Sequence, residues 1–298
     1  MLEITLTDSN FPHQEYLTPY LKSKHIVWKR DDIRRKINVY TDNFIKQSVI
    51  DIPQDGNINV CILLEPYTNP PWTDIYDYIR TDFEKFDLII THNLMKLGDL
   101  IESRPDKFYY STKCITTTWL EEKFIGLNNK TKMISMPFSF KNFSEGHRIR
   151  HIIYDKYKDS GVIDFYGSGI EGYNGEFRES LVDYKYSICC ENCLQKGFNS
   201  EKLNDCFLTY TIPIYWGSEI YDENYDKSSV FMFSPNKEKV DFNFEESFEN
   251  LDKTIQTILA TDPYDELKKA VEHNFSYTFN NLQTEDNIYN VLLKRNYI

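Results

Sequence analysis

The densest group of reactive side chains lies in residues 184–218. Glu191 and Asn192 follow an apolar, β-branched run there, and Glu201 and Lys202 follow Ser200. The run from Tyr184 to Cys190 reads as a strand, which puts Glu191 and Asn192 at its carboxyl end. Gly197 loosens the loop behind them, and Ser200 suits the N-cap of a helix running on to Thr209. A lysine in the first turn of a helix opposes the macrodipole, a cost of roughly a few tenths of a kcal/mol. A bound phosphate reverses that sign, because free N–H groups at a helix N-terminus attract anions. The bland alternative is a solvated Glu-Lys pair. Arg150, in Arg148-Ile-Arg150, is a second candidate cation, and its alternative is a solvent-facing arginine on a helix.

Proton transfer needs a different kind of residue. Glu65 ends the apolar run Val60-Cys-Ile-Leu-Leu64, and Pro66 then turns the chain away. A carboxylate at a strand end can take a proton from a hydroxyl, the better if partial burial raises its pKa. Otherwise it simply faces water. His92, following residues 87–91, is a rival base. Asn69 and Trp72 come next in the loop after Glu65, where Trp72 could stack on a sugar or equally belong to the core.

Several familiar signatures are missing. The chain has no GxxxxGK[ST], HExxH or GxSxG, and no Asp-x-Asp to hold a divalent ion against a diphosphate. Cys190-Glu-Asn-Cys193 is formally CxxC, but no second pair and no close histidine completes a zinc set. The six cysteines read as small buried thiols, and no metal ligand is assigned.

Alternating elements must position these residues. Strand-like runs at 4–6, 25–28, 59–64, 87–91 and 107–111 are interleaved with amphipathic stretches at 74–83 and 94–102. After a polar gap at 126–132 the alternation restarts, with strands at 132–137, 162–166, 184–190 and 212–215 and helices at 147–158 and 200–209. Such alternation predicts βαβ units and parallel sheets. The expected class is α/β, with two Rossmann-like domains facing a cleft, divided as 1–131 and 132–298. Helical segments at 245–260, 264–272 and 281–294 could close over the second half or cross back to the first. In open sheets of this kind ligands bind outside the carboxyl ends of the strands, where Glu65, Glu191 and Asn192 fall.

Composition narrows the partners. The 298 residues carry 34 basic and 46 acidic side chains, a formal charge of −12, which disfavours nucleic acid and anionic membranes as partners. Residues 1–140 hold 17 basic and 19 acidic groups and the remainder 17 and 27, so a phosphate site in the second half must rely on a few well-placed cations. No window reaches the length of a membrane helix, and the N-terminus lacks the pattern of a signal peptide. The expectation is a soluble, cytoplasmic chain.

The block Ser187-Ile-Cys-Cys-Glu-Asn … Gly197-Phe-Asn-Ser-Glu-Lys-Leu-Asn-Asp-Cys-Phe … Ile212-Pro-Ile-Tyr-Trp-Gly-Ser218 resembles the donor-binding motif of the α1,3/4-fucosyltransferases, glycosyltransferase family 10. Upstream, Ile134-Ser-Met-Pro-Phe-Ser-Phe-Lys … Gly146-His-Arg-Ile-Arg150 and Asp164-Phe-Tyr-Gly167 resemble two further segments of that family. In the first half the likeness is carried mainly by Leu64-Glu65-Pro66. The resemblance implies a GT-B fold and inverting transfer of fucose from GDP-fucose to an acceptor glycan, most simply in α1,3 linkage, with no obligatory metal or cofactor. It makes Glu65 the base, Arg150 and Lys202 a diphosphate clamp, and Glu191, Asn192, Ser200, Glu201, Phe198 and Tyr166 donor contacts. Asn69 and Trp72 become acceptor contacts. Cys190 and Phe198 depart from the family pattern of Phe and Tyr, and Phe198 lacks a hydroxyl that could reach the diphosphate. Another nucleotide sugar on the same scaffold, or a catalytically silent glycan-binding protein, are the alternatives.

Overall fold

The computed structural model describes residues 1–8, 22–42, 44–45, 52–67, 73–115, 118–127, 129–167, 169–170, 179–220, 222–235, 244–281 and 283–298. Asn69 and Trp72 lie outside these. The chain divides into two compact units, the first comprising Met1–Thr118, Lys196–Phe198 and Leu282–Ile298, and the second Trp119–Gln195 and Asn199–Asn281.

The first unit is built on a six-stranded sheet of β1 (Leu2–Thr7), β2 (Ile26–Lys29), β3 (Ile37–Thr41), β4 (Ile58–Ile62), β5 (Leu88–Thr91) and β6 (Phe108–Tyr110). All pairings are parallel, in the order β2-β1-β3-β4-β5-β6. The period of two assigns the faces. Val39, Val60, Ile62, Leu88 and Ile90 point into one core, while Tyr40, Cys61 and Ile89 point into the other. The second of these cores receives Ile75, Tyr76 and Ile79 from α1 (Thr73–Asp82) and Leu97 from α2 (Leu94–Ser103). Asn93 caps α2 by accepting from the Lys96 N–H at 2.9 Å.

The second unit holds β7 (Lys132–Pro137), α3 (Glu145–Tyr157), β8 (Asp164–Tyr166), α4 (Glu179–Val182), β9 (Tyr184–Cys190), α5 (Glu201–Leu208), β10 (Ile212–Trp216), β11 (Phe231–Met232), α6 (Phe244–Thr261) and α7 (Lys268–Asn281). Its five strands are also parallel, ordered β11-β10-β9-β7-β8. Strand order reverses between β7 and β9, the switch point at which ligands of open parallel sheets sit. One face of this sheet packs Ile134, Ile188 and Ile214 against Ile149 and Ile153 of α3 and Leu251, Ile255 and Ile258 of α6.

The expected α/β class with two parallel sheets is what the chain forms, but the division at 131/132 is not. The segment before β7 is tied to the second unit: the Gly126 N–H donates to Leu208 O at 2.9 Å. The Lys130 ammonium donates to Leu181 O, Val182 O and Thr211 Oγ1, each at 2.9 Å. At the other boundary, α8 (Thr284–Lys294) returns to the first unit, where Ile288, Val291 and Leu292 cover the core opposite α1 and α2. Among the described residues no helix is long and apolar enough to cross a membrane.

Candidate active site

At the switch point of the second sheet, α3 and the end of β9 approach closely because residue 146 is glycine. A Cβ there would stand 1.7 Å from Glu191 O, and the Gly146 N–H donates to Asn192 O at 3.0 Å. Ser144 caps α3 by accepting from the His147 N–H at 3.3 Å. One turn beyond Gly146, Arg150 is only 8% exposed, and its guanidinium donates to Cys190 O and, at 3.0 Å, to Asn192 Oδ1.

A Gly146→Ala substitution is therefore expected to force α3 away from β9. The destabilisation should be about 1–3 kcal/mol or more, seen as a lower urea midpoint. An unchanged midpoint would show that the approach has slack.

The Glu191 side chain turns inward. It is 0% exposed, and its two oxygens accept from the Ser200 N–H at 2.7 Å, the Ser200 hydroxyl at 2.5 Å and the Tyr215 hydroxyl at 2.9 Å. Ser200 in turn caps α5, accepting from the Lys202 N–H at 3.4 Å. The Lys202 ammonium lies 2.8 Å from Glu201 Oε1, 3.1 Å from Ser200 Oγ and 3.7 Å from Glu191 Oε2, with 23% of the side chain exposed. Burial works against the Lys202 charge, but the Glu201 and Glu191 carboxylates outweigh it and hold its pKa above the usual lysine value. Burial likewise pushes Glu201 up, and the Lys202 ammonium more than reverses that, leaving the carboxyl below its ordinary range.

Arg150 and Lys202 thus belong to one cluster. The Arg150 charge opposes that of Lys202. Burial first, then the charges of Arg150, Lys141 and Lys202, drive the His147 imidazole down to about 3, so it is neutral near pH 7. Two cations near each other, beside the N-termini of α3 and α5, form a site for a multiply charged anion. Among the described residues no three His, Cys, Asp or Glu side chains are grouped to hold a metal.

In the first unit Glu65 follows β4, half-buried, with its main chain fixed from two sides. Asp42 Oδ1 accepts from the Leu64 and Glu65 N–H groups, each at 3.3 Å, and the Tyr76 hydroxyl donates to Glu65 O at 2.7 Å. Asp42 sits at φ 46, in the left-handed region that Asp tolerates better than most residues. The rival base His92 is buried at the end of β5, and that burial pushes its imidazole down to about 4.

No family model matches the chain. Among curated proteins, the alpha-(1,3)-fucosyltransferase FucT of Helicobacter pylori is 34% identical over 84 residues, which cover 27% of this chain and 18% of the relative. A crystal structure of an alpha1,3-fucosyltransferase superposes with a TM-score of 0.51 at 14% identity, covering 99% of this chain and 89% of that one. The pneumococcal O-GlcNAc transferase GtfA, solved with UDP and GlcNAc, superposes at 0.52 with 11% identity, covering 87% and 57%. The chain is similar to the α1,3-fucosyltransferases in sequence and in fold. The match spans under a fifth of the curated relative.

Arg150, Asn192, Ser200, Glu201 and Lys202 come together around the end of β9 and the start of α5. Three of the expected donor contacts stand differently. Glu191 is sealed from solvent by Ser200 and Tyr215 and supports the loop instead of reaching a ligand. Phe198 is buried with its ring 4.9 Å from that of His92. The Tyr166 hydroxyl lies 2.7 Å from that of Tyr184 and 3.5 Å from the Lys132 ammonium, side chains rooted at the starts of β9 and β7. That contact draws its hydroxyl away from the carboxyl edge.

Sequence reasoning passed over Tyr215 and Asp42. The Tyr215 signal was available in Ile212-Pro-Ile-Tyr-Trp-Gly217, where a tyrosine on a fully buried strand needs a polar partner for its hydroxyl. Asp42 carries no comparable signal, since its role depends on the pairing of β3 with β4.

Proposed function

We propose that the chain is an inverting, metal-independent fucosyltransferase that moves fucose from GDP-fucose to a hydroxyl of an acceptor glycan, most simply in α1,3 linkage. The observation that carries this reading is the grouping of Arg150 and Lys202 at the switch point of the second sheet. With no metal in the scheme, these cations neutralise the diphosphate, whose charge grows as the anomeric C–O bond breaks. Glu65 accepts the proton of the acceptor hydroxyl while that oxygen bonds to the anomeric carbon from the opposite side. The bonding pair of the old C–O bond leaves with GDP. Glu201 and Asn192 contact sugar or ribose hydroxyls, carboxylate and amide being suited to accept from them. Glu191 and Tyr215 keep the α5 cap in place.

Six cysteines, all buried, suit a reducing, cytoplasmic setting.

The test is GDP release from GDP-fucose with and without a panel of acceptor glycans. Release above the blank that depends on the acceptor is expected. Turnover of a different nucleotide sugar alone would reassign the donor, a possibility to which Phe198 points because it lacks the hydroxyl of the family motif. No turnover with any donor would leave a glycan-binding protein.

A further inference from the structure

Phe143, just before the cap of α3, is 44% exposed although it is a large apolar ring. Single exposed aromatics are common, but this one is built in place. Its ring lies 4.3 Å from the His147 ring. The Ser144 hydroxyl holds His147 at Nδ1, so the imidazole that backs Phe143 is fixed. That imidazole stays neutral as well, because burial and the neighbouring cations hold it there. A neutral, hydrogen-bonded ring packed at 51° behind the exposed one supports it from beneath.

The ring also stands near the cations. Asn192 accepts from the Gly146 N–H through its main chain and from Arg150 through its side chain, which brings the guanidinium level with the first turn of α3. Phe143 packs on His147, and the Arg150 and Lys202 charges both act on that imidazole, so the ring and the cations share one neighbourhood.

We propose that Phe143 is the platform on which the base of a nucleoside diphosphate stacks, with the diphosphate held at Arg150 and Lys202. The inference rests on the nucleotide-sugar reading above and adds the residue that binds the base. Stacking on an aromatic ring is tolerant of base identity, so the platform supplies affinity and leaves the choice of base to other contacts.

Calorimetric titration of the full chain with GDP and with inorganic pyrophosphate tests this. In Phe143→Ala, GDP affinity is expected to fall roughly 5–150-fold, the usual worth of one base stack. Pyrophosphate affinity should stay within about twofold, because the cations are untouched. Phe143→Trp should retain GDP binding, which guards against misfolding as the cause. Phe140→Ala, removing the other exposed aromatic of this segment at 53% exposure, should bind GDP like the parent. Unchanged GDP affinity in Phe143→Ala, or equal losses for GDP and pyrophosphate, would overturn the platform while leaving the nucleotide site standing. A parent chain that binds neither ligand would instead overturn the nucleotide reading itself.

Discussion

Glu65→Gln should lower turnover by roughly 10²–10⁴-fold, the range for loss of a general base, while leaving GDP affinity within about twofold. The separation follows from where the residue sits. Its main chain is held by Asp42 on the N–H side and by Tyr76 on the carbonyl side, neither of which the substitution touches. Glutamine keeps the shape of the side chain and loses only its capacity to accept a proton at neutral pH. In the proposed scheme donor binding belongs to the second unit and has no reason to change. Steady-state rates at saturating donor, together with GDP titrations, separate the two quantities. A variant as fast as the parent would move the base elsewhere, and the buried, weakly basic His92 would be a poor replacement.

Removing the ammonium of Lys202 should act on both binding and rate. In Lys202→Ala, GDP affinity should fall about 10–150-fold, corresponding to one charge-assisted hydrogen bond of ~1.5–3 kcal/mol. Turnover should fall further, by up to about 10²–10³-fold, because the proposed role aims the cation at charge that develops as the diphosphate leaves. The substitution also leaves Glu201 and Glu191 without the cation they share at 2.8 and 3.7 Å. Some loss of stability of the nucleotide-free chain is therefore part of the prediction and is read from its melting temperature. Wild-type GDP affinity and turnover in this variant would refute the clamp.

Much of this site could be read from the letters because its parts are local. The apolar run ending at Cys190, the Ser200 cap and the Glu201-Lys202 pair are contiguous signals, each with its own short-range physics. Glu191 shows where that reading stopped. A carboxylate after a strand looks available for ligand, and only the fold reveals that Tyr215, a strand away, closes over it. The same limit hid β3: Asn38 interrupts its apolar pattern, and it is buried only because its amide and carbonyl oxygen pair with the Arg35 main chain at 2.8 and 3.1 Å. The partners of Tyr166 were illegible for a related reason, since they come from the opposite ends of neighbouring strands.

The return of α8 to the first sheet has a consequence for biosynthesis. Residues 119–281, apart from the excursion at Lys196–Phe198, form one continuous unit, whereas the first sheet lacks Ile288, Val291 and Leu292 until translation has passed it. Each of those side chains contributes on the order of 1.5–3 kcal/mol when buried, so the nascent first sheet keeps an uncovered apolar face while the later unit is already able to collapse. The first sheet therefore completes its burial only after the second unit has been synthesised.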